Sequence, residues 1–271
     1  QGGSLSAIGP RTVANPVGLD STVTFLGADP LTFTGPALLS GNRDLLVMDA
    51  EGTVTFSGGI GEGIYGSLYP HKRGPGTLVL SGTNTYSGVT YVGTDGGTLV
   101  LSGNGTILNS STVEIRHAGR LKIVNSPGSN IERINDLTTI NLYGGTLEFQ
   151  AAAGQTSAET LGALVLGANQ SQTIVSDSNG GTALLTFQQL PVPAAGATLN
   201  FVAKGSELGD AANQVHFTYS AASMGNAVLS NATVTSTAGR LDFATLQGDA
   251  AGFRVLPLPA AAYATDINAA G

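Results

Sequence analysis

Apolar and polar residues alternate with a period of two through most of the first 150 positions, the spacing that separates the two faces of a strand. Glycine punctuates the alternation. The heptapeptide Gly-Thr-Leu-Val-Leu-Ser-Gly fills residues 76–82 and, unchanged, residues 97–103, an offset of 21 residues. It generalises to Gly-[Thr/Arg]-[Leu/Val]-x-[Leu/Ile/Phe], beginning at Gly52, Gly76, Gly97, Gly119, Gly145 and Gly239. Successive offsets over the first five are 24, 21, 22 and 26, the spread of one coil with variable turns. Repeats of roughly 20 to 50 residues mark units that bury their apolar face only by stacking on neighbours. Second alternating runs lie between the glycine marks, at residues 89–92, 112–115 and 139–142, bounded by Gly, Asn, Ser and Asp clusters suited to tight turns. Helical periodicity is nearly absent. The pattern predicts an all-β chain folded as a right-handed parallel β-helix, a β-solenoid. Roughly ten to twelve coils spaced about 4.8 Å apart would give a rod on the order of 50 Å.

In such a coil Leu78, Leu99, Leu121 and Leu147 stack as one internal ladder, and Leu80, Leu101, Ile123 and Phe149 as a second. The outward partners Val79, Val100, Lys122 and Glu148 are expected to tolerate substitution, and Leu241 and Phe243 are the apolar pair of the last match. Residues 1–154 read as repeat coils. Residues 155–256 read as an irregular continuation of the helix or a small β-sandwich on its end, with residues 191–196 as a boundary or a long turn. Residues 257–271 read as an extended connector.

Composition narrows the class. The chain has 271 residues, 39 of them glycine, with 41% hydrophobic and only 11% charged residues, so disorder is not expected. A net charge of −7 argues against a nucleic-acid partner. The longest basic run, His71-Lys72-Arg73, reads as a solvated loop tip. Cysteine is absent, which excludes disulfides, thiolate chemistry and Cys-ligated metals. No stretch reaches the roughly 18 apolar residues of a membrane helix, and no basic-then-apolar leader opens the chain. The sequence starts at Gln1 without an initiator Met, as expected for a processed product or a piece of something larger.

Residues 74–88, Gly-Pro-Gly-Thr-Leu-Val-Leu-Ser-Gly-Thr-Asn-Thr-Tyr-Ser-Gly, closely resemble the autotransporter-associated β-strand repeat, also called the passenger-associated transport repeat. Gly76, Gly82, Asn84, Tyr86, Gly88, Gly97 and Gly103 carry the motif, and the strong likeness covers residues 39–108. The resemblance implies a β-helical passenger displayed or secreted by a Gram-negative-type cell, often serving adhesion or surface structure. The family's C-terminal membrane barrel does not follow here.

Candidate chemistry is sparse. Paired carboxylates for a polysaccharide lyase or glycoside hydrolase on a β-helix would have to come from Asp44, Asp49 and Glu51, or from Glu132 and Asp136 flanking Arg133. These read better as turn residues or solvated charges. His71, His117 and His216 lack a partner at ligand spacing and read as lone surface residues, and residues 59–63 read as a glycine turn. Asn84 suits hydrogen bonding to turn backbone, whereas Tyr86 suits a coil edge with its hydroxyl in solvent. A carbohydrate platform would draw on Tyr65, Tyr69, Tyr86 and Tyr91. No catalytic residue, cofactor or metal is assigned. The function expected is a non-enzymatic extracellular rod, a surface passenger or self-assembling fibre subunit. Open coil edges would associate end to end, and termini such as residues 1–7 and 259–271 would donate strands. The alternatives are a glycan- or cell-binding adhesin and, below it, a polysaccharide-degrading enzyme.

Overall fold

The computed structural model describes residues 2–64, 66–189, 191, 194–219, 227–250 and 252–263. Nine short strands open the chain: β1 (Gly3–Ser6), β2 (Arg11–Val13), β3 (Val17–Leu19), β4 (Val23–Leu26), β5 (Leu31–Phe33), β6 (Ala37–Leu39), β7 (Arg43–Val47), β8 (Thr53–Phe56) and β9 (Ile60–Glu62). Eight follow in the repeat region: β10 (Pro70–Arg73), β11 (Thr77–Leu80), β12 (Thr90–Gly93), β13 (Thr98–Leu101), β14 (Thr112–Arg116), β15 (Arg120–Val124), β16 (Thr139–Tyr143) and β17 (Thr146–Gln150). Longer strands complete it: β18 (Thr156–Leu166), β19 (Ser171–Asp177), β20 (Thr182–Gln189), β21 (Thr198–Lys204), β22 (Asn213–Tyr219), β23 (Ala227–Thr235), β24 (Leu241–Asp249) and β25 (Gly252–Pro257).

These strands wind into a parallel β-solenoid with three sides. Side A stacks β1, β4, β7, β10, β12, β14, β16 and the end of β18. Side B stacks β2, β5, β8, β11, β13, β15, β17, β19, β21 and β23. Side C begins with β3, β6 and β9 and resumes with the start of β18, β20 and β22. Side B stacks ten strands, one per coil, at the lower end of the ten to twelve coils expected, before the last residues leave the spiral. There β24 pairs antiparallel with β23 and with β25, and β25 pairs antiparallel with β22. The hairpin thus ties sides B and C together across the end of the coil, so that end is covered, contrary to the expectation of an open edge.

Inward side chains form the core. On side B, Val54, Leu78, Leu99, Leu121, Leu147 and Ile174 follow one another in register, beside Phe56, Leu80, Leu101, Ile123 and Phe149. All ten repeat and flanking aliphatic or aromatic members from Val54 to Phe149 are buried. Each such burial is worth roughly 1.5 to 3 kcal/mol. Aromatic clusters fill both ends, Phe25, Phe33 and Phe56 at one and Phe187, Phe201 and Phe217 at the other. The repeat's glycines are set by crowding between coils. Gly97 has φ +77°, and a Cβ there would lie 2.2 Å from the Gly74 carbonyl oxygen; on Gly76 it would lie 2.3 Å from the Asp49 carbonyl oxygen. No side chain fits either place.

Several positions differ from the pattern's expectation. The run His71-Lys72-Arg73 is strand, not loop tip: Lys72 stands between Leu45 and Val92 in the inward column of side A. Its stem fills the ladder while Nζ donates to the carbonyls of Arg73 (2.9 Å) and Gly74 (2.6 Å). Burial pushes its pKa down to about 8, against the opposing charge of Asp95. Leu241 and Phe243 are exposed, with Asp242, Ala244 and Leu246 inward instead, because β24 joins an antiparallel hairpin rather than the parallel stack. Residues 3–6 are already paired with β4 of their own chain and are not free to be donated. Residues 258–263 dock on β24: Leu258 N donates to Phe243 O, and the Tyr263 hydroxyl reaches Asp242 at 3.3 Å. Residues 264–271 lie outside the described residues, as do Leu190, Val192 and Pro193 of the proposed boundary.

Candidate functional site

Side A carries the densest set of outward aromatic and ionic groups. Strand pairing brings Asp44, His71, Tyr91, Glu114 and Asn141 into one outward column across five coils. Arg73, Gly93 and Arg116 stand one residue pair further along the same strands. Because a strand alternates its faces, the column points out while Leu45, Val92, Ile115 and Leu142 point in. Tyr69 meets Tyr91 edge-on, ring centroids 4.9 Å apart at 63°, and His71 lies 5.4 Å from Tyr91. The Arg116 guanidinium sits 5.7 Å from the centre of the Tyr91 ring and 5.8 Å from that of Tyr143, and it is ion-paired to Glu114.

Ionic contacts fix the rest. His71 has Nδ1 3.1 Å from Asp44 Oδ1 and Nε2 2.9 Å from the Gly93 carbonyl oxygen. Arg73 bridges Asp95 (2.9 Å) and Asp44 (3.4 Å). Burial, reinforced by the charge of Glu114 and by Tyr69, raises the Tyr91 hydroxyl above its usual range despite Arg116. The stripe remains open to solvent, since Asp44, Arg73, Asp95 and Arg116 keep 34% to 41% of their side-chain surface. Rigid rings held by cation–π and edge contacts, with hydrogen-bonding groups at their rim, suit stacking on the apolar face of a sugar ring.

Of the tyrosines named from the sequence, Tyr69 and Tyr91 are in this stripe, Tyr65 lies outside the described residues, and Tyr86 is elsewhere. Tyr86 is wholly buried instead of capping an edge. Its hydroxyl meets Thr90 Oγ1 at 2.9 Å, Thr90 meets Ser110 Oγ at 2.8 Å, and Ser110 donates to Gly88 O at 2.9 Å. Burial raises its pKa out of the physiological range. Tyr143 was not singled out from the sequence; the signal that finds it is the register placing it two coils beyond Tyr91, next to Arg116.

The carboxylates do not converge into a cleft. Asp44 is committed to His71 and Arg73, and Asp49 accepts from Glu51 N in its own turn. Glu132 and Asp136 hydrogen-bond to each other, which together with burial pushes Glu132 up to about 7. Arg133 between them is not solvated: it is fully buried, donating to Asn125 Oδ1 (2.9 Å) and to the carbonyls of Gly103 (2.9 Å), Gly105 (2.9 Å) and Ser129 (3.1 Å). His117 is exposed in a turn with φ +40°. His216 is buried, with Nε2 2.9 Å from Gln214 Oε1 and Asp249 at 3.9 Å, and burial lowers its pKa. No cluster of three or more His, Cys, Asp or Glu suited to a metal occurs among the described residues.

Glu148 is a further departure. Rather than standing free outside side B, it keeps 1% of its surface and is held by Arg120 Nη1 (2.5 Å), Lys204 Nζ (3.0 Å) and Lys122 Nζ (3.5 Å). Burial would raise its pKa, but the three cations hold it below the usual carboxylate range. Two of those cations come from β15 and one from β21, a grouping no local sequence pattern contains.

Comparison with known proteins agrees with the repeat. Residues 71–101 match the family model described as passenger-associated-transport-repeat, so the chain carries this repeat of autotransporter passengers. The curated "Adhesin BmaC autotransporter" of Brucella suis biovar 1 (strain 1330) is 32% identical over 147 residues. That alignment takes in 53% of this chain and 4% of the relative, so the chain spans a small part of the relative's length. No solved structure matches the chain. No helix among the described residues is long and apolar enough to cross a membrane.

Proposed function

We propose that this chain is a non-enzymatic β-helical segment of a surface-displayed, adhesin-type passenger of a Gram-negative-type bacterium, and that its side A stripe binds neutral or weakly charged sugar rings. The stacked group of Tyr69, Tyr91, Arg116 and Tyr143 carries this reading, because it presents three outward rings on one flank of a rigid solenoid. The carried repeat and the adhesin relative support surface display. Each cation of the stripe is already matched by a carboxylate, Arg73 by Asp44 and Asp95 and Arg116 by Glu114, which leaves ring stacking as the main attraction.

The test is a glycan array followed by titration calorimetry with the best neutral oligosaccharide. Tyr91→Ala and Tyr143→Ala, both outward and outside the internal ladders, should weaken binding about tenfold or more, in line with about 1 to 3 kcal/mol per stacked aromatic hot spot. Full affinity in both variants, with their fold intact by circular dichroism, would refute the stripe as the binding surface. The fibre reading has one supporting feature: β1, β2 and β3 each pair on one side only. Electron microscopy showing regular filaments would favour it, and discrete particles would remove it.

A further inference from the structure

A second cluster of charged side chains lies on side B, distinct from the tyrosine stripe and independent of the reading given to it. The Glu148 cluster is unbalanced. One carboxylate faces three cations, and its two oxygens are already spent, Oε2 on Arg120 and Oε1 on Lys122 and Lys204. Glu148 lies underneath, while Arg120, Lys122 and Lys204 keep 42%, 29% and 44% of their side-chain surface. A lysine ammonium has three donors and a guanidinium five, so each cation retains N–H groups for a partner from solvent. The buried carboxylate therefore serves to gather and orient positive charge at the surface.

The surroundings reinforce that charge. In register beside the cluster stand Val100, Val175 and Val202 along one outward column, and Thr98, Thr146 and Thr173 along the next, all uncharged. The one further acid facing it is Asp177, paired in register with Lys204 and accepting from Asn179 N. Three cations thus stand against two acids on a chain whose net charge is −7. Two of its three lysines are here. The strands that carry the cations, β15 and β21 with β17 and β19 between, stand three strand spacings apart, roughly 14 Å, but the charged heads converge, each 2.5 to 3.5 Å from a Glu148 carboxylate oxygen. Heads gathered so closely present one anion-binding point, sized for a single sulfate or carboxylate group of a ligand.

We infer that the Arg120, Lys122 and Lys204 cluster on side B is a subsite for a sulfate or carboxylate group of an acidic polysaccharide. The threonine hydroxyls beside it would meet the sugar hydroxyls, and the net negative charge elsewhere on the chain would repel the same polymer, favouring this patch.

Surface plasmon resonance with the intact chain tests it against three immobilised polymers: heparin as the sulfated probe, polygalacturonate as the carboxylated one and dextran as the neutral control. Binding to at least one acidic polymer and not to dextran is expected, falling about tenfold or more between 50 and 300 mM NaCl. The ratio between the first two identifies the anion. The double variant Lys122→Ala/Lys204→Ala should reduce that binding at least tenfold, and Lys204→Glu alone should nearly abolish it. Lys122→Arg, which preserves the charge, should retain it. Tyr91→Ala should leave it unchanged, which separates this site from the stripe on side A. Equal binding to dextran, or undiminished binding by the folded double variant, would overturn the inference.

Discussion

Sides B and C close the same coils by opposite chemistries. Side B is a continuous parallel stack in which every inward position of the repeat is apolar, so its stability is spread over many similar rungs. Side C has strands in its first coils and last coils, but between β9 and β18 the backbone ladder is interrupted. Side chains reinforce the few backbone bonds that remain there, such as Thr85 N to Ile60 O and Ile107 N to Arg133 O. Asn84 accepts from Ile60 N (2.9 Å) and donates to Gly82 O and Thr106 O (both 2.9 Å); Glu159 accepts from Arg133 N (3.1 Å) and Ile134 N (2.8 Å). Arg133 fills the space between with four acceptors of its own. The difference teaches that a solenoid wall can be built from repetition or from a few satisfied polar bolts, and that the second kind concentrates its stability in single residues.

That contrast can be broken first at the ladder. Leu121→Asp places a carboxylate among Leu99, Leu147 and their neighbours with nothing to pair it. The expected loss exceeds about 5 kcal/mol, adding lost burial to an unpaired buried charge, and thermal melting by circular dichroism should show the coils from β11 to β17 lost together. Arg133→Ala is expected to cost about 3 to 5 kcal/mol, since it strands the buried carbonyl of Gly105 and the buried Asn125 side chain. Its hydrogen-exchange signature should be local, confined to residues 103–107 and 125–138. Exchange spreading over side B as well would mean that the two walls are not separable.

A pH titration sharpens the comparison, because side B's rungs do not ionise and the bolts do. Burial pushes Glu159 up to about 8, offset in part by the amides of Ile134 and Arg133. The folded chain therefore holds a proton that an unfolded carboxyl at 4.5 releases, so this contribution is full below pH 4.5 and fades as pH rises to about 8. Glu132, raised to about 7, acts in the same direction. Lys72, lowered to about 8, is charged in both states across that window and enters only above it. His216, with its lowered pKa, works the opposite way, so the slope is isolated by difference: Glu159→Gln should show a shallower decline than the parent between pH 5 and 8, the remainder belonging to Glu132. An identical slope in both proteins would place the titration elsewhere. The smallest effect belongs to Tyr86→Phe, expected to cost about 1 kcal/mol through the lost bond to Thr90 and measurable as a shift in urea midpoint.

What could be read in the sequence follows the same division. The ladder of Leu78, Leu99, Leu121 and Leu147 is legible because repetition states each rung several times, and an alternating pattern needs no knowledge of distant partners. Glu148 sat at an outward position of that pattern and Lys72 in a basic run that read as a loop, and their environments come from coils that only the register defines: Lys204 for one, Leu45 and Val92 for the other. Tyr86 looked like an edge residue because its partners, Thr90 and Ser110, are individually unremarkable hydroxyls. Of the side A stripe, Tyr69 and Tyr91 could be named, but Arg116 and Tyr143 joined them only when strand pairing placed successive coils side by side. The hairpin of β24 and β25 was hidden for a related reason, since its Gly239 segment carries the repeat's letters in an antiparallel setting.

The buried Arg133 also decides how the loop from residue 125 to 138 meets a protease. Trypsin must draw the scissile basic side chain into its own specificity pocket, and the one basic residue of this loop points into the protein with its guanidinium bound. Leu137, 75% exposed in the same loop, offers an enzyme with an apolar specificity pocket what trypsin is denied. Cleavage after Arg133 would therefore report that the loop has opened, making trypsin a gauge of the bolt itself.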